Sequence, residues 1–350
     1  MSLEERGTDK SEMTREVVHI LSKKALVGLL FAGVLLIAFL CVQFPRRNIK
    51  TESDESFISR FLRNSNHLNR QAVKKILDSD RPYPFAFAVI GDPHVGTSKG
   101  EAVFGQLIDA LKKDPPAFLV VNGDLTDVYS DANLAKYLNM TGGLGVPVIS
   151  VIGNHDISDF GAYLKTFGET DFYFDYRDYR FIFLNDTRGK SAIGGLKSSQ
   201  LLWLKEKLNT PRYPFIFMHI PPRVTGAERL EALNNNYVSH PYRGAFFESP
   251  HGIDNLEAFE AIIRARAPLT VISSHIHCFA DYSKDGVRYI VTGGGGGILN
   301  EEWNNGLKPP EEGMFYHLVK ITLVSGNTYQ GEVVSLKGEK KDYRFNSVNP

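Results

Sequence analysis

Cysteine is nearly absent from this chain: Cys41 and Cys278 are the only two in 350 residues, one inside an apolar run and the other far away in sequence. Such a pair gives no disulfide framework. Net charge is also absent, with 40 basic side chains balancing 40 acidic ones. The first 50 residues hold eight basic and five acidic side chains, so the remaining body is slightly acidic. With no basic excess and no basic stripe, bulk electrostatics argue against a nucleic-acid partner and against a nuclease. Internal repeats are missing, and Gly293–Gly297 is the one low-complexity tract. No Lys-Ser/Thr pair follows those glycines, so they are not a Walker phosphate loop; they suit a tight backbone turn instead. The apolar fraction of 43% and charged fraction of 23% are those of an ordinary globular protein and exclude wholesale disorder.

One long apolar run is present. Residues 25–44 read ALVGLLFAGVLLIAFLCVQF, with Lys23 and Lys24 before them and Arg46 and Arg47 after. About 20 apolar residues suffice for a helix to cross the hydrocarbon core, and a buried core helix would show a polar face that this run lacks. A long polar segment precedes the run and no Ala-x-Ala site follows it, which distinguishes it from a cleaved signal peptide. The expectation is an uncleaved, single-pass signal anchor. The basic residues before the run outnumber those close behind it, which places the large domain on the extracytoplasmic side.

Around the anchor the sequence divides into a polar tail over 1–22, a helical stalk or packed helix over 51–82, a catalytic domain over 83–338 and a C-terminal tail over 339–350. Within the large domain, strand-like runs occur at 85–90, 117–121, 147–152, 180–184, 214–218, 269–273 and 287–292. Helix-like stretches at about 100–112, 131–139, 159–167, 197–208 and 255–266 separate several of them. This alternation predicts an α/β domain with buried strands. Two alternating segments, 315–323 and 328–335, predict a closing antiparallel hairpin.

The chemistry-bearing residues follow the strands. Gly-Asp92-Pro-His94 comes after the first, Asn-Gly-Asp124-Leu-Thr-Asp127 after the second, and Gly-Asn154-His155-Asp156 after the third. His219 ends the run at 214–218, and Ser274-His275-Ile-His277 ends the run at 269–273. Taken singly, each has a plain structural explanation: Gly-Asn is turn chemistry, and a lone histidine is more often packed than ligating. Their joint placement at five strand ends argues otherwise, since ligands of open α/β sheets sit at that edge. Asp, Asn and His without Cys form an oxygen and nitrogen ligand set suited to Mn²⁺, Fe or Zn²⁺. His240 and His251 lie in a loop with Tyr237, Tyr242 and Arg243 that reads as plain surface or as a wall on the substrate side.

In that order the motifs resemble the calcineurin-like metallophosphoesterase superfamily over roughly 85–300. The resemblance implies a four-layer αββα sandwich of two mixed sheets, here preceded by one transmembrane helix. It implies two divalent metal ions, one on Asp92, His94, Asp124 and His277 and the other on Asp124, Asn154, His219 and His275, with Asp124 shared. His155 matches a non-ligand histidine near the leaving group, and Asp156 the carboxylate that orients it. Two such ions would lower the pKa of a bridging water and clamp the phosphoryl oxygens, while His155 assists the departing oxygen.

Departures narrow the branch. Val128-Tyr129 and Ile152 replace the arginine-bearing positions of the Ser/Thr protein phosphatases, and Asp127 stands where purple acid phosphatases carry tyrosine. Ser274 replaces the glycine found in most members. The stretches GLKSSQLLWLKEKL at 195–208, HIPP at 219–222 and YIVTGG at 289–294 resemble the cyclic-nucleotide-phosphodiesterase-like and purple-acid-like branches. The expected activity is hydrolysis of a phosphomonoester or phosphodiester, small or lipid-linked. The alternative is a catalytically inactive scaffold of the same fold that binds proteins; a scaffold usually loses a ligand, and none is lost here.

Overall fold

β1 (Phe85–Ile90), β2 (Phe118–Asn122) and β3 (Val148–Val151) are continuous apolar runs because both of their faces are covered. They come from a computed structural model, in which residues 66–222, 252–299, 315–326, 328–336 and 343–346 are described. Each pairs in parallel with the next. Three antiparallel strands extend the other edge: β12 (His317–Ser325), β13 (Thr328–Ser335) and β14 (Tyr343–Asn346), giving the order β14-β13-β12-β1-β2-β3. A second mixed sheet has the order β10-β11-β9-β7-β5-β4. Its strands are β4 (Phe172–Tyr176), β5 (Tyr179–Phe183), β7 (Tyr213–Phe217), β9 (Leu269–Ser273), β10 (Phe279–Lys284) and β11 (Val287–Thr292), and the short β6 (Ile193–Gly194) and β8 (Gly252–Ile253) pair in parallel by themselves. β5, β7, β9 and β11 run parallel.

The sheets meet through phenylalanine. Phe87 stacks on Phe118 at 5.2 Å within the first sheet and meets Phe181 and Phe215 of the second edge-on at 5.5 and 5.4 Å. Phe118 adds edge contacts to Phe174 and Phe181. Such pairs contribute about 0.5–1.5 kcal/mol each beyond their burial. Because side chains alternate along a strand, the opposite faces need their own cover. On the first sheet α2 (Ser98–Lys113), α3 (Asp131–Gly142) and α4 (Phe160–Phe167) supply it, packing Phe104, Leu107, Leu134, Tyr137 and Tyr163 over Ala88, Ile90, Leu119 and Val121. Thr97, Ser130 and Asp159 cap these three helices by accepting from backbone N–H groups three residues on. On the second sheet, Trp203 of α5 (Ser198–Lys207) contacts Tyr173 of β4, and Lys284 of β10 pairs with Glu260 of α6 (Leu256–Arg264). The order is therefore helix, sheet, sheet, helix.

α1 (Leu68–Asp78) closes the β3 edge: the Asn69 amide both accepts from Ser150 N (2.8 Å) and donates to Ser150 O (2.9 Å). Within 51–82 the described helix is thus packed on the domain. Residues 343–346 do not belong to a tail, contrary to the expectation for 339–350. They form β14, because Phe345 is buried against Tyr329 and under the Arg288 guanidinium. Among the described residues no helix is long and apolar enough to cross a membrane. The expected anchor at 25–44 and the loop carrying His240 and His251 lie outside the described residues.

Candidate metal centre

Parallel strands from both sheets deliver their C-terminal ends to one edge. β1 carries Asp92 and His94, β2 carries Asp124, β3 carries Asn154, His155 and Asp156, β7 carries His219, and β9 carries His275 and His277. The two sheets are clasped there by Asn122, whose amide donates to Met218 O (3.0 Å) and Ser274 Oγ (2.8 Å). Ser274 serves as an acceptor and has no positive φ, so the glycine of other members is not needed at this position.

The backbone is bent hard at this edge. Asp92, His94, Asp124 and His275 have φ of 56, 45, 50 and 64°, a left-handed conformation that costs an ordinary residue about 1–3 kcal/mol. Cross-loop hydrogen bonds sustain it: Asp92 N to Gly123 O, His94 N to Asp124 O, and His275 N to Asp92 Oδ2. Gly123 has φ 89°, and a Cβ there would stand 2.1 Å from His219 Nδ1. A Cβ on Gly297 would stand 2.5 Å from His277 Cε1 and 2.8 Å from His94 Cδ2, which explains part of the glycine run.

Three groups of donor atoms result among the described residues: one is His94, Asp127 and His155, and the other two consist of sequence-predicted ligands. Asp92, His94 and His277 each offer an atom within 4.8 Å of the others, and so do Asp124, His219 and His275. Asp124 faces both groups, with Oδ2 3.5 Å from His94 Nε2 and Oδ1 3.3 Å from His219 Nε2. Asn154 Oδ1 lies 3.1 Å from His219 Nε2. All seven sequence-predicted ligands are brought together in this way. Asp92 Oδ1 and His94 Nε2 are buried with no hydrogen-bond partner. Leaving such atoms unsatisfied costs about 1–3 kcal/mol each, and a cation satisfies both at once. The donor set therefore fits divalent ions.

The charges agree. Burial pulls the His219 imidazole down, but the Asp124 carboxylate outweighs it and the group is pushed up to about 10. Burial likewise pulls the His277 imidazole down, but Asp92 outweighs it and holds the group above its ordinary value. Asp124 is raised by burial yet ends well below the usual carboxylate range because His219, His94 and His155 surround it. A cation bound here would compete with protons at His219 and His277. Cys278 is buried outside these groups; burial, then Asp92, push its thiol up to about 12.

Around the ligands the structure corrects one role. Asp156 was expected to orient His155, but its carboxylate is turned away and accepts from Leu125 N, Thr126 N and Gly153 N at 3.1, 3.3 and 2.9 Å. It ties the β2 and β3 loops together, and burial followed by Asp124 pushes it up to about 7. His155 is oriented by a backbone carbonyl instead: its Nδ1 donates to Asp127 O at 2.7 Å. Its side chain is 39% exposed, and Nε2 stands 4.0 Å from Asp124 Oδ2. Asp127 also accepts from His94 Nδ1 at 3.1 Å through Oδ1, a carboxylate–imidazole pair that fixes the ligand's tautomer. The Asp124-x-x-Asp127 spacing could have revealed it. Asp186, after β5, gave no such signal; fully buried, it accepts from His219 N (3.2 Å) and Ile220 N (2.8 Å).

Comparison with known proteins agrees with this arrangement. The family model described as calcineurin-like phosphoesterase matches residues 85–279. A probable cyclic nucleotide phosphodiesterase of Synechococcus is 27% identical over 188 residues, covering 52% of this chain and 65% of the relative. A probable glycerophosphodiester phosphodiesterase of Arcobacter nitrofigilis is 28% identical over 172 residues, covering 41% of this chain and 60% of the relative. The chain thus spans just under two thirds of these curated relatives. A dimetal phosphatase from Danio rerio has the same fold, with a TM-score of 0.56 at 14% identity over 75% of this chain and 99% of that one. A match over more than half the chain, with every metal-ligand motif in order along its length, means that the chain belongs to the calcineurin-like phosphoesterase family.

Proposed function

We propose that this chain is a dinuclear-metal phosphoester hydrolase, acting on phosphodiesters in particular, tethered to a membrane by residues 25–44 with its catalytic domain on the extracytoplasmic side. The observation that carries the reading is the pair of buried, unpartnered atoms, Asp92 Oδ1 and His94 Nε2, facing a carboxylate that reaches both ligand groups. One ion would be held by Asp92, His94, Asp124 and His277, the other by Asp124, Asn154, His219 and His275. When bound, such ions supply an activated water and neutralise phosphoryl charge. His155 keeps Nδ1–H on the Asp127 carbonyl, which leaves Nε2 to give a proton to the leaving oxygen. The names of the two curated relatives favour diesters over monoesters.

The test is hydrolysis of bis-p-nitrophenyl phosphate and p-nitrophenyl phosphate by the purified chain, stripped and then reloaded with Mn²⁺, Zn²⁺ or Fe²⁺. Metal-dependent turnover with close to two ions per chain supports the reading. Full metal loading without hydrolysis of either ester would instead favour a binding scaffold. Deleting residues 1–50 tests the tether: the shortened chain should leave the membrane fraction, and its retention there would refute the anchor.

A further inference from the structure

α1 closes only part of the free edge of β3, which is the last strand of its sheet. Backbone groups of successive strand residues point to alternate sides, and Leu119 N donates to Pro147 O, so Pro147, Ile149 and Val151 face β2. Val148 and Ser150 therefore turn their N–H and C=O groups outward. At Ser150 the Asn69 amide takes both. At Val148 neither group has a hydrogen-bond partner among the described residues. An unpaired strand edge is a template for another extended chain. This position lines a cavity of about 390 Å³ whose walls include Ala72 of α1, Tyr137 and Leu138 of α3 and Phe167 of α4. Its size and apolar walls are those of a ligand site. Lys75 is the one charged residue among those described as lining it; its neighbour Lys74 pairs with Asp78, whereas Lys75 has no ion-pair partner among the described residues.

We propose that this cavity docks the carboxyl end of an extended, apolar peptide from a partner protein, added antiparallel to the edge of β3. The penultimate residue of the peptide donates its N–H to Val148 O and accepts from Val148 N through its carbonyl. Apolar side chains beside it enter the cavity, and the terminal carboxylate meets Lys75. The direction follows from the placing of α1. That helix begins beside Ser150, where Asn69 binds, and ends six residues short of β1, which starts at the same edge of the sheet as β3. α1 thus runs against β3. Lys75 lies about 9 Å along the helix from Asn69, and Val148 about 7 Å back along the strand from Ser150. Lys75 therefore stands just past Val148, on the side to which an antiparallel strand points its carboxyl end. Main-chain hydrogen bonds supply affinity in such strand addition, and side-chain pockets supply specificity. The site lies at the start of β3, whereas the metal ligands lie at the strand C-terminal ends, so a docked partner leaves the metal centre open.

The experiment measures, by fluorescence anisotropy, binding of an N-terminally labelled hexapeptide ending in Val-Leu-Val with a free carboxylate to the full, metal-loaded chain. Saturable binding is expected. The C-terminal amide of the same peptide should bind about twofold to fivefold more weakly, and so should the acid peptide to Lys75→Glu. Val148→Pro removes an N–H that takes no part in the β2–β3 ladder and should weaken binding about tenfold. Gly142→Leu narrows the cavity from α3, at a position where an added Cβ meets no atom within 4 Å, and should also weaken binding. It carries the test if thermal unfolding shows that Val148→Pro does not fold. Absence of binding at about 1 mM peptide, an affinity that neither variant lowers, or tighter binding of the amide would overturn the proposal. Saturable binding of decanoate without binding of the peptide would make the cavity an acyl site and overturn it as well.

Discussion

His277, and Asp127 behind His94, stand toward the open side of the centre, whereas Asp92, Asp124 and His219 form its floor. Asp127, which orients His94, is 40% exposed, and His277 is 13% exposed, while His219 and its support Asp186 show no exposed surface. On the open side His94 is supported by a carboxylate–imidazole hydrogen bond next to water, which can replace it, and His277 by the Ile298 carbonyl. On the floor, Asp186 satisfies two backbone N–H groups with no water to substitute, and His219 Nδ1 donates to Asn122 O. Equal ligand chemistry is thus mounted on unequal scaffolding. The floor is sealed from water; the open side borders it.

Asp124→Asn breaks the comparison outright, because Asp124 is the group both sides share. Both ions should be lost, and activity should fall on the order of 10⁴-fold, about 3 kcal/mol of transition-state stabilisation for each ion. Elemental analysis finding two ions in this variant would disprove the shared role. His155→Ala removes a group of the open side that lies outside the proposed ligand set. Metal content should be intact, and kcat for an alkyl diester should fall by about 10²–10⁴. A p-nitrophenyl ester should lose less, since its phenolate leaves without a proton. Loss of an ion together with equal losses on both esters would make His155 a ligand.

The supporting carboxylates sharpen the comparison. Asp186→Asn presents an amide N–H₂ to one of two backbone N–H donors, so the floor should lose about 10–100-fold in affinity for its ion. Stability should fall by about 1–3 kcal/mol as well. Asp127→Asn keeps an acceptor for His94 Nδ1 and stays in water, so the effect on the other ion should be at the lower end of that range. Metal titration against graded chelator separates the two ions. A larger loss from Asp127→Asn, or equal weakening of both ions by either variant, would contradict the unequal scaffolding.

Most of this centre was legible in the sequence because ligation demands particular residue types at strand ends. The apolar runs predicted β1, β2, β3, β7 and β9 to within a residue or two, and those strands carry every predicted ligand. β4 and β10 were missed: the first lies in an aromatic stretch interrupted by Asp175, and the second, FADYSK, has no clean alternation. β14 was missed because its pairing depends on Phe345 packing on Tyr329, a contact across the sheet. The role of Asp156 was misjudged because neighbours in sequence need not face each other; at a sharp turn its carboxylate points back to three N–H groups. Asp186 was illegible for the same reason, since its partners lie more than thirty residues away.

An acid sensitivity begins behind the open side. His317 is fully buried, donates through Nδ1 to Phe315 O (2.8 Å) and has Thr292 Oγ1 3.1 Å from Nε2. Its backbone N–H donates to Gly294 O, at the start of the glycine run that packs on His277 and His94. Burial pulls this imidazole from 6.5 down to about 4. Below pH 6.5 the unfolded chain takes up a proton that the folded chain refuses until about pH 4. Stability from this group is therefore fully present above pH 6.5 and is lost as pH falls through that window, by about 3 kcal/mol in all. Asp156 and Asp186, both pushed up to about 7 chiefly by burial, act with the opposite sign over much of the same range. The raw pH profile is thus a sum, and a difference isolates the histidine. His317→Gln keeps a donor for Phe315 O but cannot take up a proton. Denaturant unfolding of the metal-free protein at pH 7.5, 6, 5 and 4.5 should show the gap between wild type and variant closing as pH falls. A gap that stays constant across that series would mean that His317 contributes packing alone.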